Sequence, residues 1–272
     1  MKNRPRAIVI TGNGTNCERE AAHACRLGGF DADIVHISDI LTGEVTLDRY
    51  HFLNLTGGFL DGDDLGSAKV QANRLRYAVV KGTGERVAEQ LDRFVEAGKP
   101  ILGVCNGFQL MVKMGLLPGV EGSRHQVASL TFNDSGRFED RWVHLRVDPA
   151  SPCVFTRGLE TLTLPVRHGE GKFVVREEAS LEAMRSGNLL TARYMDAATG
   201  RPTMEYPMNP NGSVDAVAGI CSPSGVLFGL MPHPEAYLDR VNHPRWTRED
   251  LPEEGVGVTL FRNAFAYVSQ GL

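Results

Sequence analysis

The segment ILGVCNGFQLM (101–111) runs an apolar stretch into Cys105, with Gly103 two residues before the thiol and Gly107 two after it. A strand ending at Val104, a cysteine and a helix starting near Asn106 have the layout of a nucleophile elbow, and the two glycines give the turn room. Such a turn holds the sulfur clear of the sheet edge. The helix N-terminus behind it stabilises a thiolate and offers an N–H to an oxyanion. Free cysteines ordinarily act as small buried hydrophobes, and Cys25, Cys153 and Cys221 are read that way. Cys105 is set apart by its symmetric glycines at a strand-to-helix boundary.

A thiol nucleophile needs a base, and the base needs an orienting group. Most of the eight histidines, such as His23 in a helix and His51 at a strand start, have no acidic or rigid neighbourhood. His233 differs: it lies in GLMPHPEAY between Pro232 and Pro234, with Glu235 two residues on. The prolines fix φ and extend the residues before them, so imidazole and carboxylate can project to the same side. A carboxylate there can hold the imidazole tautomer; read alone, PHPE is also compatible with a rigid surface turn. In RHGEGKF, His168 and Glu170 stand beside glycines, but two isolated ligands do not make a metal site, and the segment reads as a glycine-rich interface loop near the active site.

The elements around these residues alternate. AIVIT (7–11), ADIVHIS, HFLNLTGG and ILGV are short apolar strands, and the nearly continuous apolar character of each predicts a parallel sheet covered on both faces. Between them, Thr15 is expected to cap a helix, with Glu18 three residues on and Gly28 and Gly29 as its end. GERVAEQLDRFVEAGKP places Val87, Leu91, Phe94 and Val95 on one helical face before Gly98 and Pro100. The first half is therefore α/β and doubly wound. Beyond residue 127 the runs RWVHLRVD, LTLPVRHG, KFVVRE and LLTARYMD, and a hairpin turning at Pro223–Gly225, predict added antiparallel strands. GVTLFRNAFAYVSQ spaces Leu260, Phe261, Ala264 and Val268 as a helix that packs back on the sheet. No repeat or low-complexity linker divides residues 1–272, which are read as one domain.

Composition narrows the class of partner. The 272 residues are 42% hydrophobic and 23% charged with a formal charge of −4, which disfavours a broad nucleic-acid face, and no apolar run could span a bilayer. The apolar part of MKNRPRAIVIT is too short for a secretory core and reads as a first strand in a cytoplasmic protein. The five cysteines, the fifth being Cys17, are widely spaced and form no CxxC pair, so neither a disulfide framework nor a metal site is expected. There is no GxxxxGK[ST] loop; GDDLGSAK comes closest and lacks the ending.

GVCNGFQ with MPHPE downstream resembles the class I glutamine amidotransferases, whose glutaminase domains use a Cys, His, Glu triad. GNGTNCERE, LTGGFLDGDDLGSAK, GRFEDRW, RHGEGKF, EYPMNPNGS and FRNA narrow the resemblance to the glutaminase part of phosphoribosylformylglycinamidine synthases, over about residues 10 to 265. The resemblance implies Cys105 as nucleophile, His233 as general base and acid, and Glu235 as its orienter. It implies an oxyanion hole from the backbone N–H groups of Phe59 and Asn106, and a glutamine pocket lined by Gly57, Gly58 and Gln109. No cofactor is expected in this chain. ATP and magnesium are implied on a partner synthase subunit, which makes the amidine of formylglycinamide ribonucleotide with glutamine nitrogen and can carry a small accessory subunit as well.

The chain departs from the family pattern GGFSYGD at Leu60 and Asp61, and from the final motif at Ala236, where Arg is usual. CNGFQ resembles the free-standing small subunit, whereas GRFEDRW and NHPRW resemble the C-terminal domain of the fused synthase. Other readings of an elbow thiol are the glutaminase of a different class I amidotransferase, a flavodoxin-like redox sensor or hydrolase, and a silent regulatory subunit. The PHPE pair and Gln109 count against the second, and three competent triad residues against the third.

Overall fold

The computed structural model describes residues 4–122 and 124–271. The apolar runs become strands where expected: β1 (Arg6–Thr11), β2 (Asp31–His36), β3 (Phe52–Leu55) and β4 (Ile101–Val104). The second half supplies β5 (Ala128–Thr131), β6 (Glu139–Val147), β7 (Thr161–His168), β8 (Lys172–Val175), β9 (Ala192–Asp196), the two-residue β10 (Arg201–Pro202), β11 (Val217–Cys221) and β12 (Leu227–Leu230). The helices are α1 (Glu18–Gly28), α2 (Ile37–Leu41), α3 (Lys69–Tyr77), α4 (Val87–Glu96), α5 (Asn106–Lys113), α6 (Glu178–Ser186) and α7 (Gly257–Ser269).

The main sheet has the order β2-β1-β3-β4-β12-β11-β9-β6-β7, with β10 paired to β9. Pairing is parallel from β2 to β12 and antiparallel beyond it, while β5 and β8 form a separate antiparallel pair. Every residue of β3, β4 and β12 is buried, the condition of a strand covered on both faces. The chain steps from β1 to β2 in one direction and from β2 back past β1 to β3 in the other. With right-handed crossovers this reversal puts α1 on one face and the helices leading to β3 and β4 on the other. The reversal also opens a crevice at the carboxyl ends of β1 and β3, where sheets of this kind bind ligands.

α7 packs back as expected. The Phe261 ring lies 6.4 Å from that of Phe52, and a Cβ on Gly28 of α1 would stand 2.8 Å from the Phe261 backbone, so glycine lets the two helices touch. Gly29 ends α1 at φ 117°, its N–H turned to the Cys25 and Arg26 carbonyls. The hairpin turns as expected, closed by the Gly225 N–H on the Ser222 carbonyl at 2.8 Å.

Thr15 does not cap α1. Its hydroxyl turns back to the Gly12 carbonyl (2.8 Å) and to the Thr11 hydroxyl (2.7 Å), because the segment after β1 folds into an antiparallel bridge between Thr15 and Gly58. Gly103 and Gly107 also have a different task from the one the sequence suggests. Neither takes a positive φ. A Cβ on Gly103 would lie 2.7 Å from the Gly107 carbonyl, and one on Gly107 would lie 2.0 Å from the Leu55 oxygen. Their missing side chains seat α5 directly on β4 and β3.

Candidate active site

The backbone strain of the elbow falls on the cysteine itself. Cys105 has φ 50° and ψ −105°, a conformation that costs on the order of 1–3 kcal/mol and persists only where its surroundings enforce it. The enforcement is visible. Leu230 of β12 lies opposite Val104 of β4, and the Cys105 N–H donates to the Leu230 carbonyl at 2.8 Å. α5, buried along its whole length, begins at the next residue.

Pairing of β4 with β12 explains how His233 reaches this place. Both strands end at the same level, so the segment after Leu230 carries His233 to the place where β4 delivers Cys105. The His233 N–H donates to the Pro165 carbonyl at 2.8 Å, which ties this segment to β7. Glu235 follows in a short 3-10 turn opened by Pro234, and its Oε1 lies 2.6 Å from His233 Nδ1. Both side chains are buried. Burial opposes a charge on His233, but the Glu235 carboxylate first, then the Cys105 and Cys17 thiols, favour it and hold its pKa well above the ordinary imidazole value. Among the described residues His233 Nε2 has no hydrogen-bond partner, which leaves the nitrogen opposite the Glu235 bond free for chemistry.

A cavity of about 410 Å³ opens in front of these groups, lined by Cys105, His233, Gly58, Gln109 and the 167–170 segment, with Phe59, Phe132 and Phe138 also in its wall. Three charged side chains, Asp63, Arg167 and Glu170, also face it. Gln109 is fixed by donating to the Glu170 carbonyl and accepting from Asn106 Nδ2 at 3.1 Å.

Two expected roles change. The Phe59 N–H donates to the Gly14 carbonyl at 2.8 Å, across the Thr15–Gly58 bridge, and so is already used. In such a pairing the neighbouring Gly58 N–H points the opposite way, and Gly58 is the residue of that turn that lines the cavity together with the exposed Phe59 ring. Gly57 does not line it. A Cβ at Gly57 would meet His233 Cε1 at 2.7 Å, so this glycine makes room for the imidazole.

The departures are absorbed locally. Leu60 is buried and its N–H donates to Asn106 Oδ1 at 3.2 Å. Asp61 takes φ 63° and pairs with Arg74 at 2.7 Å. Ala236 is half-buried within the 3-10 turn after His233.

Some contributors were not evident in sequence. Cys17 lies 3.9 Å from His233 Nδ1 although 216 residues separate them. His168 belongs to the cavity wall and not to a metal pair: its Nδ1 bonds Asn133 Oδ1 at 3.1 Å, and burial first, then the His233 charge, push its pKa down to about 3. The GTNCE and RHGEG segments carried the signal, since both follow strand ends at the sheet's carboxyl edge.

The sequence matches a family model, the CobB/CobQ-like glutamine amidotransferase domain, over residues 4–268. The chain belongs to the CobB/CobQ-like glutamine amidotransferase family. It is 40% identical over 265 residues to the phosphoribosylformylglycinamidine synthase subunit PurQ of Dehalococcoides mccartyi, covering 97% of this amidotransferase and 98% of that protein. The PurQ subunit of Methanococcus maripaludis is 37% identical over 98% of both chains. Among solved structures, a chain of PurLQS from Thermotoga maritima aligns with a TM-score of 0.69 and 29% identity, over 97% of this amidotransferase and 99% of that chain. Among its described residues no helix is long and apolar enough to cross a membrane.

Proposed function

We propose that this amidotransferase is the glutaminase subunit of phosphoribosylformylglycinamidine synthase. It hydrolyses glutamine to glutamate and ammonia and delivers the ammonia to a separate ATP-dependent subunit in de novo purine biosynthesis. The observation that carries this reading is the strained Cys105 beside the buried His233–Glu235 pair, in a chain that matches PurQ relatives over nearly its full length. In this reading residues 1–272 act as one glutaminase domain, ATP and magnesium belong to the partner, and the complex works in the cytoplasm.

The chemistry follows from the geometry. His233 takes the Cys105 proton, and the sulfur attacks the side-chain carboxamide carbon of glutamine. Negative charge gathers on the amide oxygen and is met by the Asn106 N–H at the start of α5 and by the Gly58 N–H, which replaces Phe59 in that role. Collapse breaks the C–N bond, and ammonia leaves with the proton held on His233. Water then attacks the thioester while His233 accepts its proton, and glutamate leaves as Cys105 recovers the thiol. Glu235 stabilises the imidazolium formed in each half and fixes its tautomer. The free amino acid is a zwitterion, and Asp63, Glu170 and Arg167 in the cavity wall offer charges of both signs to its ammonium and carboxylate. Gln109 holds the wall through Glu170.

The test is acid quenching of the complex during turnover with labelled glutamine, followed by peptide mapping. Label is expected as a glutamyl thioester on the peptide containing Cys105 and absent from the Cys105→Ser variant. Label on the Cys17 peptide, or none on either under turnover, contradicts the assignment.

A further inference from the structure

The proposed mechanism pairs His233 Nδ1 with Glu235 and gives no role to the thiol that stands at the same nitrogen. Cys17, in the segment between β1 and α1, places its Sγ 3.9 Å from His233 Nδ1, the same nitrogen that meets Glu235 Oε1 at 2.6 Å. Thiol, imidazole and carboxylate donor atoms all lie within 4.8 Å of one another, and all three residues are buried. Among the described residues the Cys17 sulfur has one other hydrogen bond, to Asn16 Oδ1 at 3.0 Å. A separate feature points to an incomplete site: Glu235 Oε2 is buried without a hydrogen-bond partner, on a side chain only 2% exposed. The cluster is also reachable, because Cys17 and His233 both line the cavity in front of Cys105.

We propose that Cys17, His233 and Glu235 form a site for a thiophilic divalent cation, zinc above all, whose occupancy stops the glutaminase. Thiolate, imidazole and carboxylate are the ligand types zinc prefers. With metal–ligand distances of about 2.3 Å for sulfur and about 2.0–2.2 Å for nitrogen and oxygen, tetrahedral geometry sets the S···N and N···O separations at roughly 3.5 Å and 3.3 Å. Cys17 moves inward and the Glu235 carboxylate outward by less than an ångström to reach them. The unpartnered Oε2, or a water entering from the cavity, completes the coordination. On binding, the Cys17 thiol gives up its proton and His233 Nδ1 presents its lone pair, which leaves the ring proton on Nε2. An imidazole in that state cannot accept the Cys105 proton. The inhibitory consequence rests on the glutaminase reading, whereas the metal site itself does not.

The test separates the two. The full chain is prepared as Cys105→Ser, which removes the nucleophile as a competing ligand, and as Cys105→Ser with Cys17→Ser or Cys17→Ala, each checked for a cooperative thermal transition. Zinc affinity is measured by competition with a chromophoric chelator, and cobalt(II) is added to look for a thiolate-to-metal charge-transfer band. The single variant is expected to bind one zinc per chain and to show the band; both double variants are expected to lose the band and to bind at least tenfold more weakly. Glutamine-driven turnover of the synthase complex carrying Cys17→Ala should need at least tenfold more zinc for half-inhibition than the Cys17 protein, each scaled to its own metal-free rate. A single variant that binds no zinc, or a double variant that keeps the band and the affinity, overturns the site. A failed glutaminase reading shows instead in the metal-free rate.

Discussion

Cys105, His233 and Glu235 are each made unusual by their immediate neighbours, and that made them legible as residues. Glycines at 103 and 107 mark a backbone that must pass close to another, and prolines at 232 and 234 mark one that cannot flex. His168 carries no such marker, yet its environment has a consequence. Its Nδ1 partner is the Asn133 side-chain oxygen and its Nε2 is buried without a partner, so a second proton has no acceptor in the folded state. With the folded pKa near 3, below the unfolded value of about 6.5, the neutral ring contributes stability that is complete above pH 6.5 and is lost as pH falls toward 3. The loss is expected at roughly 1 kcal/mol per pH unit within that window. Chemical denaturation at pH 7 and pH 5 should show this slope in the parent protein and a shallower one in His168→Gln. Equal slopes in the two proteins contradict it. Neither His168's burial nor Cys17's place beside His233 was legible, because each depends on contacts across the sheet rather than on adjacent residues.

At the scale of elements, the site is made by strand order. β4 and β12 are neighbours in register, so a cysteine after one and a histidine after the other meet without any motif joining them. The alternation of buried strands and helices was readable from apolar runs, and so was the change to antiparallel pairing after residue 127. The order of strands was not, since each apolar run can pair with any other and only the packed sheet decides. Thr15 illustrates the same limit: a residue with cap chemistry was diverted by the bridge to Gly58, a tertiary pairing stronger than the local preference. The seating of α5 gives a direct check. Gly107→Ala puts a methyl 2.0 Å from the Leu55 oxygen, and relief requires α5 to lift from β3. The variant is expected to lose about 3 kcal/mol in denaturant titration, the upper part of the range for overpacked cores. A loss under about 0.5 kcal/mol would show that the helix is not held at that contact.

At the scale of the whole molecule, the active-site cavity is walled partly by aromatic side chains that face solvent. Phe59, Phe132 and Phe138 are 48%, 68% and 55% exposed and all line it. Exposed aromatic side chains grouped around one opening suit contact with another protein. The central claim is that Cys105 serves nitrogen release from glutamine and nothing downstream. Its most direct test is amidine formation by the complex with the synthase subunit, ATP and ribonucleotide substrate, comparing glutamine with ammonium for the parent protein and Cys105→Ala. The account predicts that the variant loses glutamine-driven turnover by at least about 10³-fold while ammonium-driven turnover is unchanged. Equal glutamine-driven rates in the two proteins would contradict it.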